Sequence, residues 1–355
     1  MQHRTHHIAL VLAAALSVAA CTKHDLPERN GDFIEFSGRT VQLQEATKGV
    51  MDNRTSFDDL DKIKVSAWHH QEQSEPRIFN NQVVEYTAAS DTWSYSPKQR
   101  WRWSDNDWYD FLAVPNSVTA TPNNSEPFTL TVHYDARASQ YDLLMAGTRH
   151  KISDSDPGRK VSLDFQHMLS AVKVVFYKYA GSEEVIVSAY HFSDLLVSAD
   201  IEAYWNEENK CFSSRQTNTL RLDTEQFGEE RDDEPYLDQD NYLKTTSDSY
   251  DPGFYDLLLP QDLDAAAGAP SLVVRFMDNV DADGVNPFVP TEYTPDPIPL
   301  KDIPVKGTTD QFITRWEPGQ IYEYELHILF NGGVLVNVTT TPWEDIQAQT
   351  PGLMI

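Results

Sequence analysis

The sequence has little cysteine, little positive charge and no long hydrophobic run after its first twenty residues. Its 355 residues include two cysteines, and 28 lysines and arginines stand against 55 aspartates and glutamates. The formal net charge of −27 repels phosphate backbones, so we expect no nucleic-acid partner. Beyond residue 20, no stretch approaches the roughly 20 apolar residues that a membrane helix needs.

Catalytic and metal-binding motifs are also missing. The sequence contains no Gly-x-Ser-x-Gly, His-Glu-x-x-His, Walker-type glycine-rich loop or Cys-x-x-Cys. His69 and His70 are neighbours on a predicted strand, and their side chains should face opposite sides of the sheet. Asn279–Gly284 resembles the start of a calcium loop, but Pro290 occupies its twelfth position. We therefore predict no enzyme activity, no cofactor and no metal site.

The N-terminus carries an export signal. Residues 1–20 have a basic start and a short apolar core, typical of a signal peptide, and Val18-Ala19-Ala20-Cys21 resembles a bacterial lipobox. Cys21 would then be lipidated, anchoring the protein to the outer membrane, and residues 21–30 would form a flexible tether. Cys211 is left without a disulfide partner, and we expect it to be buried and inert.

The remaining chain has the pattern of an all-β protein. Apolar and polar residues alternate in short runs bounded by Asn, Asp, Pro and Ser, while helical periodicity is nearly absent. A turn near Gly181 suggests one β-sandwich domain over residues 31–181 and a second over residues 182–355. The predicted strands include Phe33–Phe36, Ile63–Trp68, Phe128–Tyr134, Ala171–Tyr177, Val185–Tyr190, Ile201–Trp205 and the pair Ile321–Leu329 and Val334–Val338, joined by Asn331-Gly332-Gly333.

Several motifs follow one another in a fixed order. They are Trp108-Tyr109-Asp110-Phe111-Leu112, Asp142-Leu143-Leu144-Met145-Ala146-Gly147, Leu163-Asp164-Phe165-Gln166-His167-Met168, Trp316-Glu317-Pro318-Gly319-Gln320 and Trp343. In this order they resemble the fimbrillin family of the Bacteroidales, the subunits and accessory proteins of type V pili. The resemblance implies two transthyretin-like β-sandwich domains in tandem. It also implies a structural, accessory or tip subunit of a fimbrium that acts in cell adhesion and is exported as a lipoprotein.

The resemblance further implies assembly by strand exchange with other fimbrillin subunits. An arginine-specific protease would remove an early strand, here formed by Phe33, Ile34, Phe36, Val41 and Leu43, and a strand of another subunit would fill the open groove. The candidate cleavage sites are Arg54, which we prefer because its surroundings are rich in turn residues, and Arg39. In anchor or tip subunits neither arginine need be cut.

Two segments are candidate donor strands. One comprises Val334, Val336 and Val338, and the other is the C-terminal tail with Ile346, Leu353 and Ile355. Pro351-Gly352 interrupts the tail, so it is an imperfect donor, which suits a subunit that accepts a strand without donating one.

The main alternative is a surface lipoprotein that binds glycan and does not polymerise. The segment from Trp93 to Phe111 is dense in aromatic residues, and Trp101 and Trp103 would lie on one face of a strand, where a pyranose ring could stack. In the light of the family resemblance, we prefer to interpret these aromatic residues as packing in the core and at its edge. The sequence identifies no particular ligand on a host or bacterial surface.

Overall fold

The computed structural model describes residues 33–37, 60–70, 77–101, 108–138, 141–151, 160–178, 184–222, 242–243, 249–250, 255–264, 269–279, 291–329 and 332–343. Over these ranges the chain forms strands and one short 3-10 helix, Leu300–Asp302. The all-β prediction is confirmed. In this part of the chain no helix has the length and apolar character needed to cross a membrane.

The strands range in length from 2 residues in β1 to 11 residues in β3, β13 and β14. In chain order they are β1 Phe36–Ser37, β2 Lys62–His69, β3 Arg77–Thr87, β4 Thr92–Ser94, β5 Trp108–Pro115, β6 Thr121–Asn123, β7 Thr129–Asp135, β8 Leu144–Lys151, β9 Val161–Ser162, β10 Phe165–His167 and β11 Ser170–Lys178. They continue with β12 Glu184–Ser193, β13 Leu196–Asn206, β14 Cys211–Arg221, β15 Tyr242–Leu243, β16 Ser249–Tyr250, β17 Asp256–Leu258, β18 Ser271–Asn279, β19 Thr291–Tyr293, β20 Ile298–Pro299, β21 Gln320–Ile328 and β22 Val334–Pro342.

Four sheets and one isolated pair contain these strands. The first sheet has the order β10-β8-β5-β2-β3-β4, and the second has the order β14-β13-β7-β6. The third sheet has the order β16-β11-β21-β22, with β17 also paired to β11. The fourth sheet has the order β15-β12-β18-β19, with β20 also paired to β18, and β1 pairs only with β9.

The first sheet lies between two hydrophobic clusters, which explains why its central strand is buried on both faces. In β5, Tyr109, Phe111 and Ala113 belong to one cluster, while Leu112 and Val114 belong to the other. Successive residues of a strand point to opposite faces, so a strand with apolar residues at every position fits only between two apolar layers.

The larger cluster, the large core, contains side chains from all four sheets, among them Trp68, Tyr134, Phe176, Phe276 and Tyr324. The smaller cluster, the small core, covers the opposite face of the first sheet. It comprises Ile34, Phe36, Leu60, Ile63, Val65, Ala67, Phe79, Val84, Tyr95, Trp101, Tyr109, Phe111, Ala113, Leu144, Ala146, Val161, Leu163 and Phe165.

Two of the sheets combine strands from both sides of the domain boundary that we predict near Gly181. In the second sheet β13 pairs antiparallel with β7, and in the third sheet β11 pairs parallel with β21 along its length. The Tyr134 hydroxyl also donates a hydrogen bond of 2.8 Å to the Leu257 carbonyl, which links the second and third sheets. The division into two tandem domains stays a prediction.

The predicted C-terminal hairpin is present. Strands β21 and β22 pair antiparallel over their whole lengths, and Leu329 N donates to Gly333 O at 2.8 Å where they join. Gly332 has φ +77°, and a Cβ atom there would lie 2.3 Å from the ring of Tyr293. Only glycine fits both the left-handed backbone and the close approach of the ring.

Candidate strand-exchange site

Residues 33–37 are the described part of the predicted exchangeable strand, and their ladder pairing with other described strands is short. Phe36 and Ser37 of β1 pair in parallel with Val161 and Ser162 of β9. Phe33 adds one antiparallel bridge to Arg100. Two residues of pairing with a strand that is itself two residues long is a weak backbone attachment, so side chains must hold the segment in place.

Alternate side chains of this segment enter the small core. Ile34 is fully buried and Phe36 is 6% exposed, whereas Phe33 is 40% exposed and Glu35 also faces solvent. This is the period-two arrangement that the sequence predicts for a strand with one buried face.

Phe36 occupies a pocket of three aromatic rings, which we call the aromatic pocket. Its ring centroid lies 6.1 Å from that of Phe79, 5.9 Å from that of Tyr95 and 6.2 Å from that of Phe111. The Tyr95 and Phe111 rings are nearly perpendicular to it, at 77° and 89°. Edge-to-face contacts of this kind stabilise beyond the burial of area alone.

Tyr95 also binds the backbone of the segment. Its hydroxyl donates a hydrogen bond of 2.7 Å to the carbonyl of Ile34, whose own amide donates to Gln99 O at 3.0 Å. Burial raises the pKa of Tyr95, the hydrogen bond with Gln99 opposes that shift, and the nearby Glu35 carboxylate adds to it. Tyr95 therefore stays protonated and can act as a donor.

Two cations flank the outward-facing residues. The Arg100 guanidinium lies 4.6 Å from the centre of the Phe33 ring. Lys160 Nζ lies 3.5 Å from a carboxylate oxygen of Glu35, whose carbonyl accepts a hydrogen bond of 2.8 Å from Val161 N. Each of the four positions 33–36 thus has a chemically distinct environment.

These contacts make the segment an important part of the small core. Burying Ile34 and Phe36 contributes about 1.5–3 kcal/mol for each side chain, or roughly 3–6 kcal/mol together. That is a large share of the roughly 5–15 kcal/mol that stabilises a typical domain. If the segment left, the small core would open along one line, and another strand with suitable side chains could close it.

The other N-terminal residues predicted to take part in lipidation, strand removal or cleavage lie outside the described residues. These are Cys21, the strand residues Val41 and Leu43, and the cleavage candidates Arg39 and Arg54. Both arginines belong to the stretch between Ser37 of β1 and Leu60, the buried residue that precedes β2.

The first donor candidate is integrated into its own sheet. Val338 is fully buried in the large core, and another backbone segment lies on each side of it. It pairs with Tyr324 of β21, while its amide donates to Pro304 O at 3.0 Å and its carbonyl accepts from Lys306 N at 2.9 Å. Val334 and Val336 are half-buried on the same strand. Removing this strand would open the large core.

The end of β22 is anchored by a contact that the sequence alone does not indicate. The ring of Trp343 stacks on His167, with centroids 4.3 Å apart and planes at 6°, and Trp343 N donates to Gly319 O at 3.0 Å. His167 in turn binds the buried carboxylate of Asp142 at 2.8 Å. Burial raises the pKa of Asp142 against the opposing effect of His167. The second donor candidate, with Ile346, Leu353 and Ile355, follows this anchor and lies outside the described residues.

Trp101 is 4% exposed and belongs to the small core, where its ring packs against Tyr109 and Phe111. The interpretation of Trp101 as core packing is therefore confirmed, and the alternative in which it stacks on a sugar is wrong. Trp103 lies outside the described residues. The expectation that Cys211 is buried is also wrong, because Cys211 begins β14 at the edge of the second sheet and is exposed.

His69 and His70 face opposite sides of the first sheet, as the strand period requires. The ring of His69 is buried and stacks on Tyr109, with centroids 4.6 Å apart, whereas His70 Nε2 lies 2.8 Å from Asp110 Oδ2. Across the described ranges, no group of three or more His, Cys, Asp or Glu side chains could hold a metal ion.

The sequence alone also does not indicate an ion-pair network at one end of the first sheet. Arg149 donates to both carboxylate oxygens of Asp110, at 2.6 Å from Nε and 2.8 Å from Nη2, and also binds Glu207. Burial raises the pKa of Asp110, but the hydrogen bonds from Arg149 and His70 outweigh it and hold the pKa below its ordinary value. The network involves β5, β8 and the turn after β13, so only the fold brings it together.

The chain is similar to known proteins in both sequence and structure. The sequence profile of the fimbrillin-like family matches residues 47–343, and no curated protein matches the chain. A fimbrilin from Porphyromonas gingivalis shows 12% identity over 89% of this chain and 98% of its own, with a TM-score of 0.42. A Bacteroides uniformis protein whose proposed role is cell adhesion shows 14% identity over 88% and 97%, with a TM-score of 0.41. A fimbrial assembly protein from Parabacteroides distasonis shows 12% identity over 82% and 96%, with a TM-score of 0.34.

Proposed function

This chain belongs to the fimbrillin-like family, and from that membership we propose that it is a fimbrial subunit that acts in cell adhesion and assembles by strand exchange. The fimbrillin-like family is not a family of enzymes, in agreement with the lack of catalytic motifs in the sequence. The family indicates a role at the cell surface or in a fimbrium, in association with other fimbrial subunits.

One observation carries the proposal of strand exchange. Residues 33–37 are held by two buried side chains and by short backbone contacts with residues 99–100 and 161–162, over a hydrophobic cluster that would be exposed without them. A protease that cuts after Arg54 would separate this segment covalently from β2 and the strands that follow. A free sheet edge beside exposed apolar side chains is a general docking site for an extended strand.

The donor strand of this chain is the tail after Trp343. Strand β22 is part of the large core, so donating it would cost the subunit its own packing. The tail with Ile346, Leu353 and Ile355 follows the Trp343 anchor, and its departure leaves β22 intact.

The N-terminus determines the route to the surface. Lipidation of Cys21 would attach the exported precursor to the outer membrane, and cleavage after Arg54 would release the mature subunit from that anchor. An uncut subunit would stay attached and could serve as an anchor.

The test is digestion of the purified full chain with an arginine-specific protease, followed by intact mass and native mass spectrometry. We expect a cut after Arg54, loss of the fragment that holds residues 33–37, and formation of a complex when another fimbrial subunit is added as strand donor. Arg54→Ala should prevent both the cut and the complex, and Arg39→Ala serves as the matched control with unchanged processing. A complex that forms equally well from uncut Arg54→Ala protein would contradict proteolytic triggering.

A further inference from the structure

The groove under residues 33–37 is selective, because each position of the segment has a different neighbour. The aromatic pocket of Phe79, Tyr95 and Phe111 surrounds Phe36. Ile34 is fully buried among the aliphatic and aromatic side chains of the small core. A strand that replaces this segment must fill both places, since empty space in a core is destabilising.

The outward positions add a preference for charge. Lys160 Nζ lies 3.5 Å from the Glu35 carboxylate, and the Arg100 guanidinium lies over the ring of Phe33. An acidic side chain between the two buried positions therefore gains an ion pair, and a basic one meets a like charge. This contact is solvent-exposed, so it adjusts specificity more than affinity.

The C-terminal tail of this chain does not match this pattern of an aliphatic, an acidic and an aromatic residue, whichever way the strand runs. Residues 344–355 contain no phenylalanine, tyrosine or tryptophan, and the nearest tryptophan, Trp343, is already buried against His167. The alternating pairs available in the tail are Ile346 with Ala348 and Leu353 with Ile355, separated by Gln347 and Met354. Either pair would leave the aromatic pocket partly empty and Lys160 without an acidic partner.

We propose that this groove accepts the strand of a different subunit rather than the tail of a second copy. The donor carries an aliphatic residue, an acidic residue and an aromatic residue in succession, which occupy the places of Ile34, Glu35 and Phe36. This inference rests on the proposed strand exchange and adds the chemical class of the partner. The chain is then an acceptor in a mixed fimbrium, at a junction between unlike subunits.

The test uses the full chain with a recognition site for a sequence-specific protease in place of residues 45–50. After cleavage, native mass spectrometry measures replacement of the N-terminal fragment by labelled peptides. One peptide has the sequence of residues 31–38, which contains the proposed pattern, and the other has the sequence of residues 344–355. We expect the first to bind at least about tenfold more tightly than the second, because a filled aromatic pocket easily exceeds the roughly 1.4 kcal/mol that tenfold requires.

Two peptide variants separate packing from charge. Phe36→Ala in the 31–38 peptide should weaken binding by at least about tenfold. Glu35→Lys in the peptide should weaken binding by roughly two- to fivefold at low salt. Lys160→Glu in the acceptor chain should bring the binding of this Glu35→Lys peptide back to its original strength. Lys160 is exposed on the surface, so this exchange leaves the small core unchanged.

The outcomes distinguish the two proposals. If the N-terminal fragment leaves and the 344–355 peptide binds as tightly as the 31–38 peptide, strand exchange stands and the unlike partner is refuted. If the N-terminal fragment stays bound in an excess of every peptide, the segment is not exchangeable and both proposals fail.

Discussion

Replacement of Phe36 by alanine should release residues 33–37 from the small core while the rest of the chain stays folded. Phe36 is 6% exposed and contacts all three rings of the aromatic pocket. Truncation of a buried phenylalanine costs about 3–5 kcal/mol. Since Ile34 is the only other buried side chain among residues 33–37, this cost is comparable to everything that holds the segment in place.

Hydrogen exchange of the Val161 amide reports the release of residues 33–37, and that of the Met168 amide is an internal reference. Val161 N donates to Glu35 O at 2.8 Å and loses this partner when the segment leaves, whereas Met168 N donates to Leu143 O at 2.9 Å and keeps its partner. A loss of about 3 kcal/mol corresponds to roughly two orders of magnitude in the released population. Hydrogen exchange of Val161 should therefore be about 100-fold faster in Phe36→Ala than in the unmodified chain, with Met168 unchanged.

Phe33→Ala is the matched control, since it removes the same side chain three positions earlier on the opposite face. Phe33 is 40% exposed, so its truncation should change exchange at Val161 by less than about fivefold, within the range of surface substitutions. Equal effects of the two substitutions, or unchanged exchange at Val161 in Phe36→Ala, would refute the assignment of the segment's stability to the aromatic pocket.

Three further predictions concern other parts of the chain. Cys21→Ser should abolish labelling by a palmitate analogue during expression in a bacterial host, and continued labelling would refute the lipobox assignment. Asp110→Asn should lower the free energy of unfolding near neutral pH by roughly 2 kcal/mol, because the half-buried Arg149 loses the charge of its buried partner and keeps only the exposed Glu207. The pKa of Asp110 lies below its ordinary value, so its contribution is complete above about pH 4 and is lost as the pH falls through the lowered pKa. In urea titrations across that range, the free energy of unfolding should fall less steeply with decreasing pH for Asp110→Asn than for the unmodified chain. The same pH dependence in both chains would contradict the network. Deletion of residues 346–355 should leave the unfolding midpoint unchanged but abolish donation of a strand to other subunits, as measured by co-assembly, and normal co-assembly of the truncated chain would assign the donor role elsewhere.

The local features of the fold could be predicted from the sequence because they depend on near neighbours. The alternation in Phe33–Phe36 and Phe128–Tyr134 follows from which side chains must avoid water, and the structure has strands or extended backbone at both places. The hairpin of β21 and β22 follows from two adjacent glycines that permit a turn. From the sequence, Phe33 is grouped with Ile34 and Phe36 as strand residues, and the structure shows that Ile34 and Phe36 are buried while Phe33 is exposed.

Long-range partners could not be predicted, since periodicity does not specify which strand lies alongside. The parallel pairing of β1 with β9 joins Phe36 to Val161, far apart in the chain, and the pairing of β11 with β21 is more distant still. Trp101 shows the same limit. A tryptophan in an aromatic-rich segment suits a core or a binding platform, and although core packing is the preferred interpretation, only the packing of the small core decides between them.

The central claim is that residues 33–37 are absent from the assembled subunit and that a strand from elsewhere takes their place. The most direct measurement is mass spectrometry of the mature N-terminus in fimbrial material extracted from the cell surface. The account predicts a first residue of Thr55, immediately after Arg54, in polymerised protein. Polymers whose subunits still begin at Cys21 and retain residues 33–37 would contradict it.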